Sequence, residues 1–73
     1  MNGKTYRILL RKEPEGGYTA IVTALPGCIT YGVDVDHSRQ MAKEAIELYI
    51  ESLESHNEPI PDDQDTLEYS VTI

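Results

Sequence analysis

Three short alternating segments, one long stretch with helical periodicity and a final alternating run predict an α+β domain. The order is β-β-β-α-β, with one helix packed on one face of a small sheet. Seventy-three residues make one domain, 1–73, that buries only about 60–65% of the surface its unfolded chain exposes. At 40% apolar residues the composition supports a compact core. With no Trp and no Phe, five Tyr supply all the aromatic area.

Thr5 to Lys12 reads as the first strand. Tyr6, Ile8 and Leu10 alternate with Arg7, Leu9 and Arg11, the period of a sheet with one buried face. Glu13-Pro14-Glu15-Gly16-Gly17 supplies turn formers. Tyr18 to Ala24 then continues as an antiparallel partner, with Tyr18, Ala20 and Val22 on one side and Ile21 on the other. At Leu25-Pro26-Gly27 the chain changes direction. Pro presets φ at the second turn position and Gly accepts positive φ at the third, as a type II turn requires. A short third strand, Cys28 to Tyr31, follows, with Cys28 expected as a small buried apolar residue.

Gly32-Val33-Asp34 leads into a helix expected from Val35 to Ser55, with Asp34 as N-cap and Asp36 at the positive end of the helix dipole. Val35, Ala42, Ala45, Ile46, Tyr49, Ile50 and Leu53 form the apolar stripe. Nearly opposite runs an acidic stripe, Glu44, Glu47, Glu51, Glu54 and Glu58, in which only Lys43 stands near enough to pair with Glu47 at (i, i+4). Asn57 suits a left-handed cap, and Pro59 and Pro61 stop continuation. Asp62-Asp63-Gln64-Asp65 reads as a solvated acidic loop. Leu67, Tyr69, Val71 and Ile73 share one face of an expected fourth strand, returning by a right-handed crossover. The uncovered sheet edge is a natural site for self-pairing.

The net charge of −7 divides unevenly. Lys4, Arg7, Arg11 and Lys12 give residues 1–12 a charge of +4, whereas residues 13–73 carry −11. Nucleic acid binding needs several cations to displace counterions from phosphates, so this acidity argues against it. It suits either a basic protein partner or plain solubility of a small domain. No apolar run approaches the ~20 residues of a membrane span, no signal-peptide core precedes the first strand, and one cysteine forms no internal disulfide. A cytoplasmic protein is expected.

Chemistry is not legible in the side chains. His37 and His56 sit at opposite helix ends, roughly 28 Å apart, and read as exposed helix-end residues. Ser38 is adjacent to His37 and does not face it. There is no phosphate-binding glycine loop and no zinc pattern, and the carboxylates are not gathered in a cleft. A non-enzyme without cofactor or metal is expected.

Gly17-Tyr18-Thr19-Ala20, then Leu25-Pro26-Gly27-Cys28-Ile29-Thr30-Tyr31-Gly32, resemble the HicB family of type II antitoxins. Ala42-Lys43-Glu44-Ala45-Ile46 and Glu58-Pro59-Ile60-Pro61 match its helix and helix exit in the same order. The motif positions are Gly17, Tyr18, Leu25, Pro26, Gly27, Cys28 and Gly32. The resemblance implies a truncated ribonuclease-H-like fold without catalytic carboxylates, its fourth strand beside the first. It also implies a small basic HicA-like toxin as partner, an mRNA-cleaving ribonuclease inhibited by covering its active site. Many relatives continue into a C-terminal DNA-binding segment. Here the sequence stops after the fourth strand, so direct nucleic acid binding is not expected. No family motif identifies toxin contacts. Glu44, Glu47 and Glu51 are the partner-binding candidates from charge alone, and a homo-oligomer is expected. The alternative is a stand-alone self-associating structural or regulatory module without a surviving toxin.

Overall fold

The computed structural model describes residues 4–73; Met1 to Gly3, the approach to the first strand, lie outside the described residues. Its elements are β1 (Ile8–Lys12), β2 (Tyr18–Val22), β3 (Ile29–Gly32) and α1 (Val35–Ser55). The sheet order is β1-β2-β3, antiparallel throughout, so β1 and β3 run the same way. This is the expected β-β-β-α arrangement.

The hairpin follows from its turn residues. Glu13 and Gly17 exchange a backbone bond across the connection, Glu13 N to Gly17 O at 3.0 Å, and Gly16 and Gly17 take φ of 106° and 81°. The register sets Leu9 opposite Ile21 and Leu10 opposite Ala20. Even-numbered β1 residues therefore face the helix with Ala20 and Val22, while Leu9, Ile21, Ile29 and Tyr31 share the outer face. At the next reversal the Cys28 N–H donates to Leu25 O at 3.0 Å, and Gly27 has φ of 80°, the type II geometry expected from Pro26-Gly27. Strand β3 begins one residue later than the sequence suggests, because Ile29 is the first residue in register with Ile21.

Helix α1 has the expected boundaries. Asp34, in extended conformation, accepts from His37 N at 2.7 Å. His37 reciprocates by accepting the Val33 N–H on Nδ1 at 3.0 Å, so its ring closes the helix N-terminus. At the other end Asn57 takes φ of 57°, with Asn57 N donating to Glu54 O and Glu58 N to Leu53 O, a Schellman closure. The core is small: Ala20, Val22, Leu25, Cys28 and Ala42, flanked by Tyr6, Ile8, Leu10, Ala45, Ile46 and Tyr49. Val35, assigned to the apolar stripe by spacing, is exposed.

Two expectations need correction. Residues 67–73 form no ladder with the sheet, so the fourth strand is absent from the single chain. Leu67, Tyr69, Val71 and Ile73 are each at least three-quarters exposed. Alternation specifies a chain suited to a sheet, but pairing requires an edge within reach. The second correction concerns Asp63, which is buried rather than solvated. Its Oδ2 accepts the Arg7 N–H at 2.6 Å, just before β1 begins.

Candidate functional site

The acidic face of α1 is built as its spacing implies. Glu44, Glu47, Glu51 and Glu54 are exposed along the helix, and Glu58 is exposed just beyond its cap. Lys43 does not pair with Glu47. The ion pairs among the described residues are Arg7 with Asp63 and Glu68, and Arg39 with Asp36. Glu44 only accepts a hydrogen bond from Gln40 at 3.2 Å. The stripe is therefore a band of negative charge without a direct ion pair, although Lys4 and Lys43 line the same groove as Glu47, Glu51 and Glu54, and like charges at this spacing cost a few tenths of a kcal/mol per pair.

What holds this band in place is the turn-and-strand stretch from Gly17 to Gly32. Gly32 stands against the helix: a Cβ there would lie 2.5 Å from Ser38 Cα and Oγ. Tyr18, opposite Gly32 in the sheet, offers its carbonyl to the Ser38 hydroxyl at 3.3 Å. Ser38 is fully buried, a polar residue that the helix uses to touch the sheet closely. Further along, the Pro26 carbonyl accepts from the Tyr49 hydroxyl at 2.8 Å, and Leu25 is fully buried. Gly17 leaves room for the Tyr31 ring, whose hydroxyl donates to Gly16 O at 2.9 Å. Gly27 has positive φ and open space around it, so conformation alone accounts for glycine there.

Beside the acidic band, an open groove of about 580 Å³ runs between β1 and α1. Ile8, Ile46, Ile50 and Ile60 line its apolar floor, and Glu47, Glu51 and Glu54 stand on its helical wall. The groove exists because α1 lies mainly across β2 and β3 and touches β1 least. Sequence periodicity marked Ile8, Ile46 and Ile50 as core, yet they are only partly covered.

A clasp ties the chain beyond α1 to the residues leading into β1. Arg7 donates through its guanidinium to Thr66 O at 2.7 Å and approaches Glu68 at 3.5 Å. Asp63 is held below the usual carboxylate range, by the neighbouring Thr66 first and the Arg7 backbone N–H second, with a further contribution from the Arg7 charge. The Tyr6 hydroxyl donates to Pro61 O at 2.5 Å, and burial, with Asp62 and Asp63 nearby, raises its pKa. No sequence signal distinguished Asp63 from its acidic neighbours.

Cys28 is buried, and that burial pushes its thiol pKa up, the opposite of an activated thiolate. Among the described residues no three His, Cys, Asp or Glu side chains converge as a metal site, and no helix is long and apolar enough to cross a membrane. The arrangement sets one charged helix face beside one apolar groove.

Comparison with known proteins agrees with a recognition role. Residues 6–72 match the model of the HicB-like antitoxin of bacterial toxin–antitoxin systems. A UPF0150 protein of Thermoplasma acidophilum is 47% identical over 58 residues, covering 80% of this chain and 84% of that protein. A UPF0150 protein of Synechocystis is 46% identical over 56 residues, covering 77% and 71%. One from Archaeoglobus fulgidus is 41% identical over 46 residues, covering 63% and 67%. With nearly all of its described length inside the family match, the chain belongs to the HicB-like antitoxin family.

Proposed function

We propose that this chain is an inhibitor that binds a small basic HicA-like ribonuclease toxin through the acidic face of α1 and covers its active site. It acts in the cytoplasm, as a homo-oligomer, without cofactor, catalysis or direct contact with nucleic acid. Its β-β-β-α framework is read as the truncated ribonuclease-H-like fold that the family resemblance implies. The observation that carries the reading is the exposed band of Glu44, Glu47 and Glu51, none in an ion pair, on a helix fixed to the sheet by Gly32 and Ser38.

Charge of this kind acts mainly on encounter: complementary potentials raise association rates, and salt removes the gain. Co-purification with the small basic protein encoded beside this gene, followed by assay of that protein's RNA cleavage, tests the pairing. In the triple variant Glu44→Gln, Glu47→Gln and Glu51→Gln, association at low salt should slow by ~10-fold or more, and the difference should shrink at high salt. An unchanged association rate removes the stripe from the account.

A second reading, a stand-alone self-associating module without a surviving toxin, is favoured by the bare apolar surface at Leu9, Ile29 and Tyr31 and along residues 67–73. Absence of any complex with the neighbouring protein, together with a stable oligomer, would select it.

A further inference from the structure

Among the apolar side chains of α1, Leu48 stands apart. Ala42 is buried, Ala45, Ile46 and Tyr49 pack against the core, and Ile50 and Leu53 are half-buried. Leu48 is 66% exposed and belongs neither to the core nor to the groove between β1 and α1. The fold makes little use of it, and an alanine there would favour the helix at least as well.

Its surroundings are acidic. Residues three and four apart are neighbours on a helix surface, so Leu48 lies between Glu44, four residues before it, and Glu51, three after it. Both carboxylates are exposed, and neither is in an ion pair. Lys43 lines the groove and Leu48 does not, so the cation and the leucine bound the acidic band on opposite flanks. An apolar side chain thus projects from the part of the band farthest from a helix cation.

Anything that covers Leu48 also takes water from Glu44 and Glu51. Desolvated carboxylates without partners oppose binding, whereas cations set against them offset that cost. The surface therefore discriminates between partners. A purely apolar patch is rejected by the two charges, and a basic surface without a recess gains only the salt-sensitive encounter. What fits is a shallow apolar recess rimmed by two Lys or Arg about 10 Å apart, the rise over the seven residues from Glu44 to Glu51.

We propose that Leu48 is the apolar anchor of the partner interface, seated in such a recess of the basic toxin while the two rim cations meet Glu44 and Glu51. This inference rests on the inhibitor reading above and adds the residue that holds the complex together to the charges that speed its formation. Close apolar contact acts on dissociation and long-range charge on association, so the two contributions separate kinetically.

The test immobilises the 73-residue chain and passes the small basic protein encoded beside its gene over it at low and high salt. Leu48→Ala should raise the dissociation rate about 10-fold, with the association rate within about 2-fold of wild type and the effect retained at high salt. Leu48→Met, apolar and of similar volume, should stay within about 3-fold. The thermal midpoint of Leu48→Ala should match that of wild type, which separates a lost anchor from a lost fold. Val33→Ala shortens a side chain of the same 66% exposure just outside the helix and should leave dissociation unchanged. Dissociation unaltered by Leu48→Ala, or altered as much by Val33→Ala, overturns the anchor. Slowed association of the triple glutamine variant would then still uphold the inhibitor reading. Absence of any complex with the wild-type chain overturns both.

Discussion

Gly32→Ala tests the contact that positions α1. The added Cβ would stand 2.5 Å from Ser38 Cα and Oγ and closer still to its backbone nitrogen. Ordinary van der Waals contact begins near 3.4 Å, so the helix must withdraw by roughly 1 Å at that point. No side chain can rotate to relieve this, because two of the three obstructing atoms are backbone. Withdrawal also lengthens the 3.3 Å bond from the Ser38 hydroxyl to Tyr18 O and opens the packing of Ala42 on Ala20 and Leu25.

Overpacking of this kind costs about 1–3 kcal/mol, and loosening of a fully buried contact places Gly32→Ala near 3. The whole domain, at 73 residues, has a stability of about 4–11 kcal/mol. At about 4–8 °C per kcal/mol, the midpoint of thermal unfolding should fall by roughly 12–24 °C. Far-UV circular dichroism on heating is a sufficient assay. Gly27→Ala is the control: it meets no atom within 4 Å but carries a φ of 80°, so only the cost of a left-handed residue applies, about 1–2 kcal/mol. A Gly32→Ala protein melting within about 3 °C of wild type, or above Gly27→Ala, would refute the close approach as the element fixing the helix.

The Asp63 clasp predicts an acid limb. Its folded pKa lies below its unfolded value, so its contribution is complete above the ordinary carboxylate range and is lost as pH falls through the lowered folded value. Asp63→Asn should lower stability at neutral pH and flatten this part of the curve of denaturant-derived stability against pH; an unchanged slope would mean that the carboxylate does not hold the loop. Cys28, buried and with a raised thiol pKa, should alkylate ~100-fold or more slowly in the folded chain than in denaturant, and rapid native-state labelling would contradict its place in the core.

Local rules reached much of this fold because they act over a few residues. Pro26-Gly27 specifies a turn through two φ values, Asp34 caps a helix by reaching the N–H three residues on, and Asn57 closes it from the left-handed region. None of these needs a distant partner. Ser38 and Asp63 are different. A serine among helical polar positions and an aspartate among aspartates carry no local mark; Ser38 is buried because Gly32 and the Tyr18 carbonyl are there, and Asp63 because the Arg7 N–H is. The candidate interface divides in the same way. The acidic band was legible as a spacing, whereas its neighbouring groove appeared only once α1 was seen to lie across β2 and β3.

The sequence by itself determined the order of the first four elements, the helix boundaries, the turns and the charged face, since each depends on dihedral preference or periodicity along a contiguous stretch. Tertiary structure decided the rest: which polar groups are buried, which apolar ones stay bare, and that residues 67–73 pair with neither edge of the sheet. A period of two dictates that a strand has an apolar face, but where that face is covered depends on surfaces far away in the chain, or in another chain.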